Sequence, residues 1–329
     1  MQVSLDEIRD KSLRALMAHG AGETQAAAVA DAVRRAEALG NVICGLYYLE
    51  SYCLQLLSGR VKGQVEPEVS KPRPASVQVD ARCGFAQPAF AKALPEAVAA
   101  GREQGLAMLA VNHAHTCTSL GYFTEQIAAH GLMAIGFTNA STIVAPPGGT
   151  KAVIGTNPIA LSVPGKEEGA PLRMHFDFST SAVALGKITM AKAAGEPIPE
   201  GWAIDAEGNP TTDPEAALKG SLVSAGGYKG WGFGLLAELM AAGIAGGVNS
   251  LDVKGLKAPE GPPHDLGQCY LLLDPTTFGD HFDERFARMA EAVAEQPGAR
   301  IPGASRNEKT QIDVPDALWR RVIELTEVA

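Results

Sequence analysis

Few groupings in this chain have the residue types and spacing to do chemistry. His113-Ala114-His115 follows a run that reads as a strand, and residues two apart on an extended segment face the same way, so the two imidazoles should converge. Converging imidazoles suit metal binding or acid–base work. A metal site needs further ligands, and His19, His130, His175, His264 and His281 stand in unrelated contexts, so no metal is expected. A proton donor at the C-terminal edge of a strand is the sharper reading, against the plainer one of two loop histidines bonded to backbone carbonyls.

Three more groupings offer donors for an anion. Gly155-Thr156-Asn157-Pro158 combines a hydroxyl, an amide and exposed backbone, or is simply a turn. Ser179-Thr180-Ser181, just after Asp177, reads as the start of a helix over 179–194. Hydroxyls there can cap the helix or bind a phosphate, and Lys187 would lie two turns further on. Residues 226–232 (GGYKGWG) are glycine-rich and put Lys229 beside a helix start, but match neither a GxGxxG fingerprint nor a Walker loop. A backbone able to approach an anion remains, against a packing turn.

These groupings need elements to position them. Helical spacing runs through Leu5, Ile8, Leu13 and Leu16 after a Ser4–Glu7 capping pattern, and two further helices reach residue 58. Pro67, Pro72 and Pro74 mark a linker. Strand-like and helix-like runs then alternate: strands near 77–80, 107–112, 133–138, 151–154, 159–163, 174–178 and 269–274, with helices near 89–101 and 118–130. That alternation predicts an α/β sheet. Residues 195–213 read as loop, 230–245 as a buried helix, 278–294 as a solvent-facing helix and 315–327 as the last helix.

Composition bounds the function. Of 329 residues, 28 are Lys or Arg and 37 Asp or Glu, a formal charge of −9 that argues against a nucleic-acid surface. Aromatics are only 6% while glycines number 36, so the core must be aliphatic and the turns many. Five scattered cysteines without a CxxC argue against disulfides. The amphipathic start lacks a signal-peptide core, and Glu238 interrupts the longest apolar stretch, so no membrane span and a cytoplasmic location are expected.

Taken together, the segments 146–164 (PPGGTKAVIGTNPIALSVP), 176–214, 226–247, 261–275 and 300–306 (RIPGASR) resemble the type-2 malate/L-lactate dehydrogenase family in its own order. The resemblance implies an α/β sheet domain that is not a Rossmann fold, with helical terminal segments packed around it. Here those would be a helical segment over 1–75, a cofactor- and substrate-binding region over 76–300, and a C-terminal segment over 301–329 packing back on the helices. It further implies a homodimer and NADH or NADPH as cofactor. Cofactor contacts are implied at Asn139, Thr156, Asn157 and Asp177, at Ser179, Thr180, Ser181 and Lys187, and at Gly227, Lys229 and Arg306.

Departures from the family pattern fall on the reacting groups. Where the family carries Ser-His-Gly-x-x-Arg, this chain has Ile43-Cys44-Gly45-Leu46-Tyr47-Tyr48, and the family's second His falls on Thr116. His115, then Tyr48, are the remaining proton donors, and Lys187 or His113 the groups for a substrate carboxylate. Cys44, Thr116 and Thr156 would line the substrate. The leading expectation is a reductase of a small 2-oxo acid of malate, lactate or sulfolactate type. The alternatives are a reductase of pyrroline- or piperideine-2-carboxylate, supported by 79–89 (VDARCGFAQPA), and a cofactor-binding homologue without catalysis.

Overall fold

The Ser4 hydroxyl accepts the Glu7 amide at 3.2 Å, so the first helix starts where the capping pattern places it. The computed structural model of the chain describes residues 1–303 and 309–327. A short strand β1 (Gln2–Ser4) leads into α1 (Leu5–Ala18), α2 (Glu23–Ala38), a 3-10 turn over Val42–Cys44, and α3 (Leu46–Leu57). The sheet region runs β2 (Glu68–Arg73), β3 (Ser76–Asp80), α4 (Ala86–Gln104), β4 (Leu106–Ala114), α5 (Gly121–Ala129), β5 (Met133–Thr138), β6 (Ile159–Val163) and β7 (Met174–Phe178). Then come α6 (Leu185–Ala194), β8 (Ala203–Ile204), β9 (Pro210–Thr211), α7 (Pro214–Lys219), β10 (Ser221–Leu222) and α8 (Tyr228–Glu238), which continues into a π turn over Leu239–Ile244. The chain ends with β11 (Leu266–Leu273), α9 (Phe282–Ala294), β12 (Gln311–Asp313) and α10 (Asp316–Thr326).

Seven strands form the central sheet in the order β2-β3-β4-β11-β5-β6-β7. Only β3 and β4 run parallel; every other neighbouring pair is antiparallel. The expected α/β sheet is therefore present, and it is not the parallel, doubly wound sheet of a Rossmann domain. Strand alternation splits the core in two. Leu109, Val111, Tyr270 and Leu272 face Phe90, Ala93 and Phe123 of α4 and α5, while Ala110, Phe137 and Cys269 face Ala237, Met240 and Ala245. The terminal helices build a separate apolar cluster in which Leu16, Val29 and Leu49 enclose Trp319 of α10, and β12 pairs with β1.

Four local expectations are corrected. The proline-marked segment is the edge strand β2, and Pro72 falls at the register shift between Ser70 and Arg73, where the ladder with β3 is interrupted. Residues 151–154 contribute only an isolated bridge between Val144 and Ile154. No helix starts at Ser179: α6 begins at Leu185, so Lys187 sits in its first turn, because Ser181 bridges to Ser224 first. The apolar helix is buried on one face only; Gly230, Gly234, Ala237 and Glu238 pack inward while Phe233, Leu236, Leu239 and Ile244 stay exposed.

Candidate active site

Three chain segments meet at a cleft below the start of α5. The first is the 3-10 turn, whose position is set by Glu37 of α2: its buried carboxylate accepts the Leu46 amide at 2.7 Å and caps α3. A Cβ at position 45 would collide with that carboxylate, so only glycine lets the turn close and present Cys44 and Tyr48. The second is the loop after β4, where Thr118 holds φ +60° although β-branched. Its hydroxyl donates to the Cys117 carbonyl at 2.6 Å and receives the Tyr52 hydroxyl at 3.3 Å, bonds that hold the strained turn. The third is the end of β7, where Asp177 accepts the Gly121 amide at 2.8 Å and the Ser119 hydroxyl at 3.2 Å. Asn41, Ser119, Tyr122, Glu125, His175 and Asp177 line a cavity of about 290 Å³, the scale of a small substrate rather than a dinucleotide.

Two weak acids beside this cleft, Cys44 and Tyr48, are held protonated. Burial pushes the Cys44 thiol up to about 12, with the Asp177 charge adding to the shift. Burial likewise raises the Tyr48 phenol, and Cys44 adds to it. Lys257, from the loop before β11, places its ammonium 3.4 Å from the Tyr47 ring centroid and 5.1 Å from that of Tyr48. Partial burial lowers its pKa. No sequence signal pointed to Lys257, because the rings it covers lie far away in the chain.

His113 and His115 do not converge, which corrects the strand-spacing argument. His113 takes φ +49° opposite a register shift in β11, so the alternation breaks there. Its half-exposed ring bonds Asp265 at 2.7 Å instead. The His115 ring is 1% exposed and packs against Tyr52 and Phe85. It also stacks on His264 at 4.0 Å, so His264 is not in an unrelated context. The amide nitrogen of Gln55 donates to the Leu256 and Ala258 carbonyls, which turns its oxygen toward His115 Nε2 at 2.7 Å. His115 Nε2 is therefore the protonated nitrogen, and among the described residues Nδ1 has no hydrogen-bond partner. Burial, His264 and Arg60 hold the ring neutral, its pKa well below the usual histidine value. Thr116 serves the same cluster: its amide donates to His264 Nδ1 at 3.2 Å.

The expected cofactor donors divide by what they already bond. Asn157 is fully buried and donates to the Gly234 carbonyl and the Glu238 carboxylate at 3.0 and 2.8 Å. Glu238 also accepts from the Ser250 amide and hydroxyl and from Asn249. Thr180 donates to the Thr156 and Asn157 carbonyls, and Ser181 to the Val183 carbonyl. These groups build the turn rather than face a ligand. Thr156 and Ser179 are partly exposed, and Lys187 and Lys229 are exposed. Gly186, beside Lys187, lies against Ile43, bringing the start of α6 to the turn that carries Cys44. Arg306 lies outside the described residues.

A dinucleotide nevertheless fits this surface. Gly226 and Gly227 hold φ +64° and +62° with open space where a Cβ would stand, so backbone can approach a phosphate at the start of α8. Residues 145–150 face that turn across a groove. Among the described residues the buried Asn139 Oδ1 has no partner, an acceptor of the type a carboxamide needs. Among the described residues, no three His, Cys, Asp or Glu side chains group to hold a metal, and no helix is long and apolar enough to cross a membrane.

The family model described as malate/L-lactate dehydrogenase matches residues 3–322. The chain is 39% identical to the (2R)-3-sulfolactate dehydrogenase (NADP(+)) of Chromohalobacter salexigens, over 96% of this chain and 95% of the relative. It is 37% identical to a Delta(1)-pyrroline-2-carboxylate reductase of Ancylobacter novellus, over 97% and 96%. The crystal structure of delta1-piperideine-2-carboxylate reductase from Pseudomonas syringae superposes with a TM-score of 0.91 at 32% identity, covering 99% of both chains.

Proposed function

The chain belongs to the malate/L-lactate dehydrogenase family and is a nicotinamide-dependent oxidoreductase; from that premise we propose that it reduces a small cyclic ketimine bearing a 2-carboxylate, of the pyrroline- or piperideine-2-carboxylate type. The observation that carries this reading is the acid–base inventory of the cleft. Among the described imidazoles, His115 is enclosed and neutral, His113 is bonded to Asp265, and His175 in the cavity wall is buried, with Nδ1 on the Ser162 hydroxyl at 2.8 Å and Nε2 facing Glu125 at 3.5 Å. The Cys44 thiol, the Tyr48 phenol and the Tyr122 phenol of the cavity wall are held protonated by burial.

A bound nicotinamide supplies a hydride. A ketone that accepts it becomes an alkoxide and must take a proton from the site, where weaker acids give less assistance as the charge develops. A ketimine enters as the iminium, already protonated from water, and hydride converts it directly to the amine. What that substrate requires is an anion facing its cationic nitrogen, and Asp177 at the cleft wall supplies one. Asn139, Thr156, Gly227 and Lys229 hold the cofactor, with Ser179 and Lys187 at its edge and Arg306 assigned there by resemblance alone. Cys44 fills the wall where an imidazole would stand, and His115 acts through Gln55 rather than on substrate.

The 39% identity to a sulfolactate dehydrogenase supports a second reading, reduction of a small 2-oxo acid with the Tyr48 hydroxyl as donor. The exposed apolar side chains Phe233, Leu236, Leu239 and Ile244 fit a homodimer, and a cytoplasmic location fits a dinucleotide-dependent enzyme. The test is oxidation of NADH and of NADPH with the two cyclic imines, pyruvate, oxaloacetate and sulfopyruvate. Imine turnover should exceed that of the oxo acids at least about tenfold in kcat/KM, and Tyr48→Phe should change it by less than about threefold. Turnover of oxo acids alone, lost about 100-fold in Tyr48→Phe, would replace the first reading with the second.

A further inference from the structure

A 2-carboxylate substrate needs a cation in the cleft; Lys187 is exposed at the start of α6, and most of the other cations nearby are committed. Arg60 is 2% exposed, and its guanidinium contacts four backbone carbonyls: Lys254 at 2.6 Å, Gly255 at 2.9 Å, Ala258 at 2.6 Å and Pro262 at 2.9 Å. Arg35 bonds Glu125 at 2.8 Å, and the His113 ring is bonded to Asp265. Lys257 differs. Its ammonium stands over the Tyr47 and Tyr48 rings, and among the described residues no carboxylate lies within salt-bridge distance of it. Its charge is felt at the Cys44 thiol.

The loop that carries Lys257 is fastened from below. Arg60 grips it on both sides of Lys257, Gln55 bonds the carbonyls of Leu256 and Ala258, and the Ser58 hydroxyl donates to Pro259 at 2.7 Å. Gln55 is itself oriented by His115, which stacks on His264 at the loop's far end. A buried guanidinium spent on carbonyls rather than on a carboxylate is costly to place, and here it fixes the backbone on either side of one lysine.

We propose that Lys257 is the residue that binds the substrate carboxylate, held over Tyr48 by the Arg60–Gln55–His115 cluster. Aromatic faces hold the ammonium without neutralising it, so the full charge remains for an anion arriving from the Cys44 side. The assignment rests on the reading that the substrate carries a 2-carboxylate, and it holds for the imine and the oxo acid alike. Lys257 is then a substrate-binding residue, and Arg60, Gln55 and His115 are positioning residues.

The experiment compares wild type, Lys257→Met and Lys257→Arg by calorimetric binding of pyrrole-2-carboxylate and of its neutral carboxamide to the enzyme with NADPH or NADH bound. KM and kcat are measured in parallel for the substrate that wild type turns over. Lys257→Met should weaken carboxylate binding and raise KM roughly 10- to 100-fold, leave the carboxamide within about threefold, and leave cofactor affinity unchanged. Lys257→Arg should recover most of the loss. Unchanged carboxylate binding in Lys257→Met, or equal loss of both ligands, overturns the assignment while the functional reading stands. If wild type neither turns over nor binds any 2-carboxylate, the functional reading fails and takes this one with it.

Discussion

Glu238 and Asp177 are both carboxylates inside the fold, about sixty residues apart in sequence, and they belong to different kinds of region. Glu238 is 5% exposed, and its two oxygens accept from Asn157, Asn249 and the amide and hydroxyl of Ser250, with Asn139 at the limit of reach. Every donor is anchored in backbone that the carboxylate itself holds in place. Asp177 lies at a cavity wall, caps α5 with one oxygen, and shares its surroundings with Cys44. A carboxylate enclosed by fixed donors acts as scaffold, because any movement leaves charge unpaired in a dry interior. One at a cavity wall, here accepting the Gly121 amide and the Ser119 hydroxyl, borders the space that a substrate enters.

Three measurements can break or sharpen that comparison. Glu238→Ala should have the largest effect, costing about 3–5 kcal/mol in urea unfolding, since it orphans several buried donors together. A loss below about 1 kcal/mol would mean that the network is not scaffold. Asp177→Asn should act in the opposite sense, lowering kcat/KM at least about 100-fold, or roughly 2.7 kcal/mol, while unfolding free energy changes by less than about 1 kcal/mol. Destabilisation with intact turnover would reverse the two roles.

The smallest effect concerns the histidine stack beside the cleft. Burial and Arg60 depress His264 to about 3, and His115 is depressed as well. Unfolded histidines take up protons below about pH 6.5 while the folded rings stay neutral, so the unfolded state binds more protons and stability falls as pH drops. The contribution is complete above pH 6.5 and is lost toward pH 3 for His264, at about 1.4 kcal/mol per pH unit. Between pH 7 and pH 5, urea unfolding of His264→Gln should therefore lose about 2 kcal/mol less than wild type. Equal losses would show that the stack does not hold His264 neutral.

Much of the frame was legible from residue order. β5, β6 and β7 stand where their apolar runs place them, because each is bounded by turn residues and short enough to have one reading. The Ser4 cap was legible for the same local reason. The Ser179–Ser181 hydroxyls misled, since a cluster of helix-capping residues serves equally well in an extended turn that bonds its own backbone. The His113–His115 pair misled because one residue at positive φ breaks the alternation on which same-face arguments depend.

Residue order by itself determined the family, the mixed α/β frame and the chemistry available: a glycine-rich surface for an anion, and reacting positions where cysteine and tyrosine replace histidine and arginine. The tertiary structure decided which of those groups face the cleft. It turned His115 inward onto Gln55 and His264, closed Asn157 onto Glu238, and brought Lys257 over Tyr48 from a loop whose anchor, Gln55, lies 201 residues from Leu256. Periodicity and spacing describe neighbours along the chain, whereas burial, charge and protonation depend on neighbours in space.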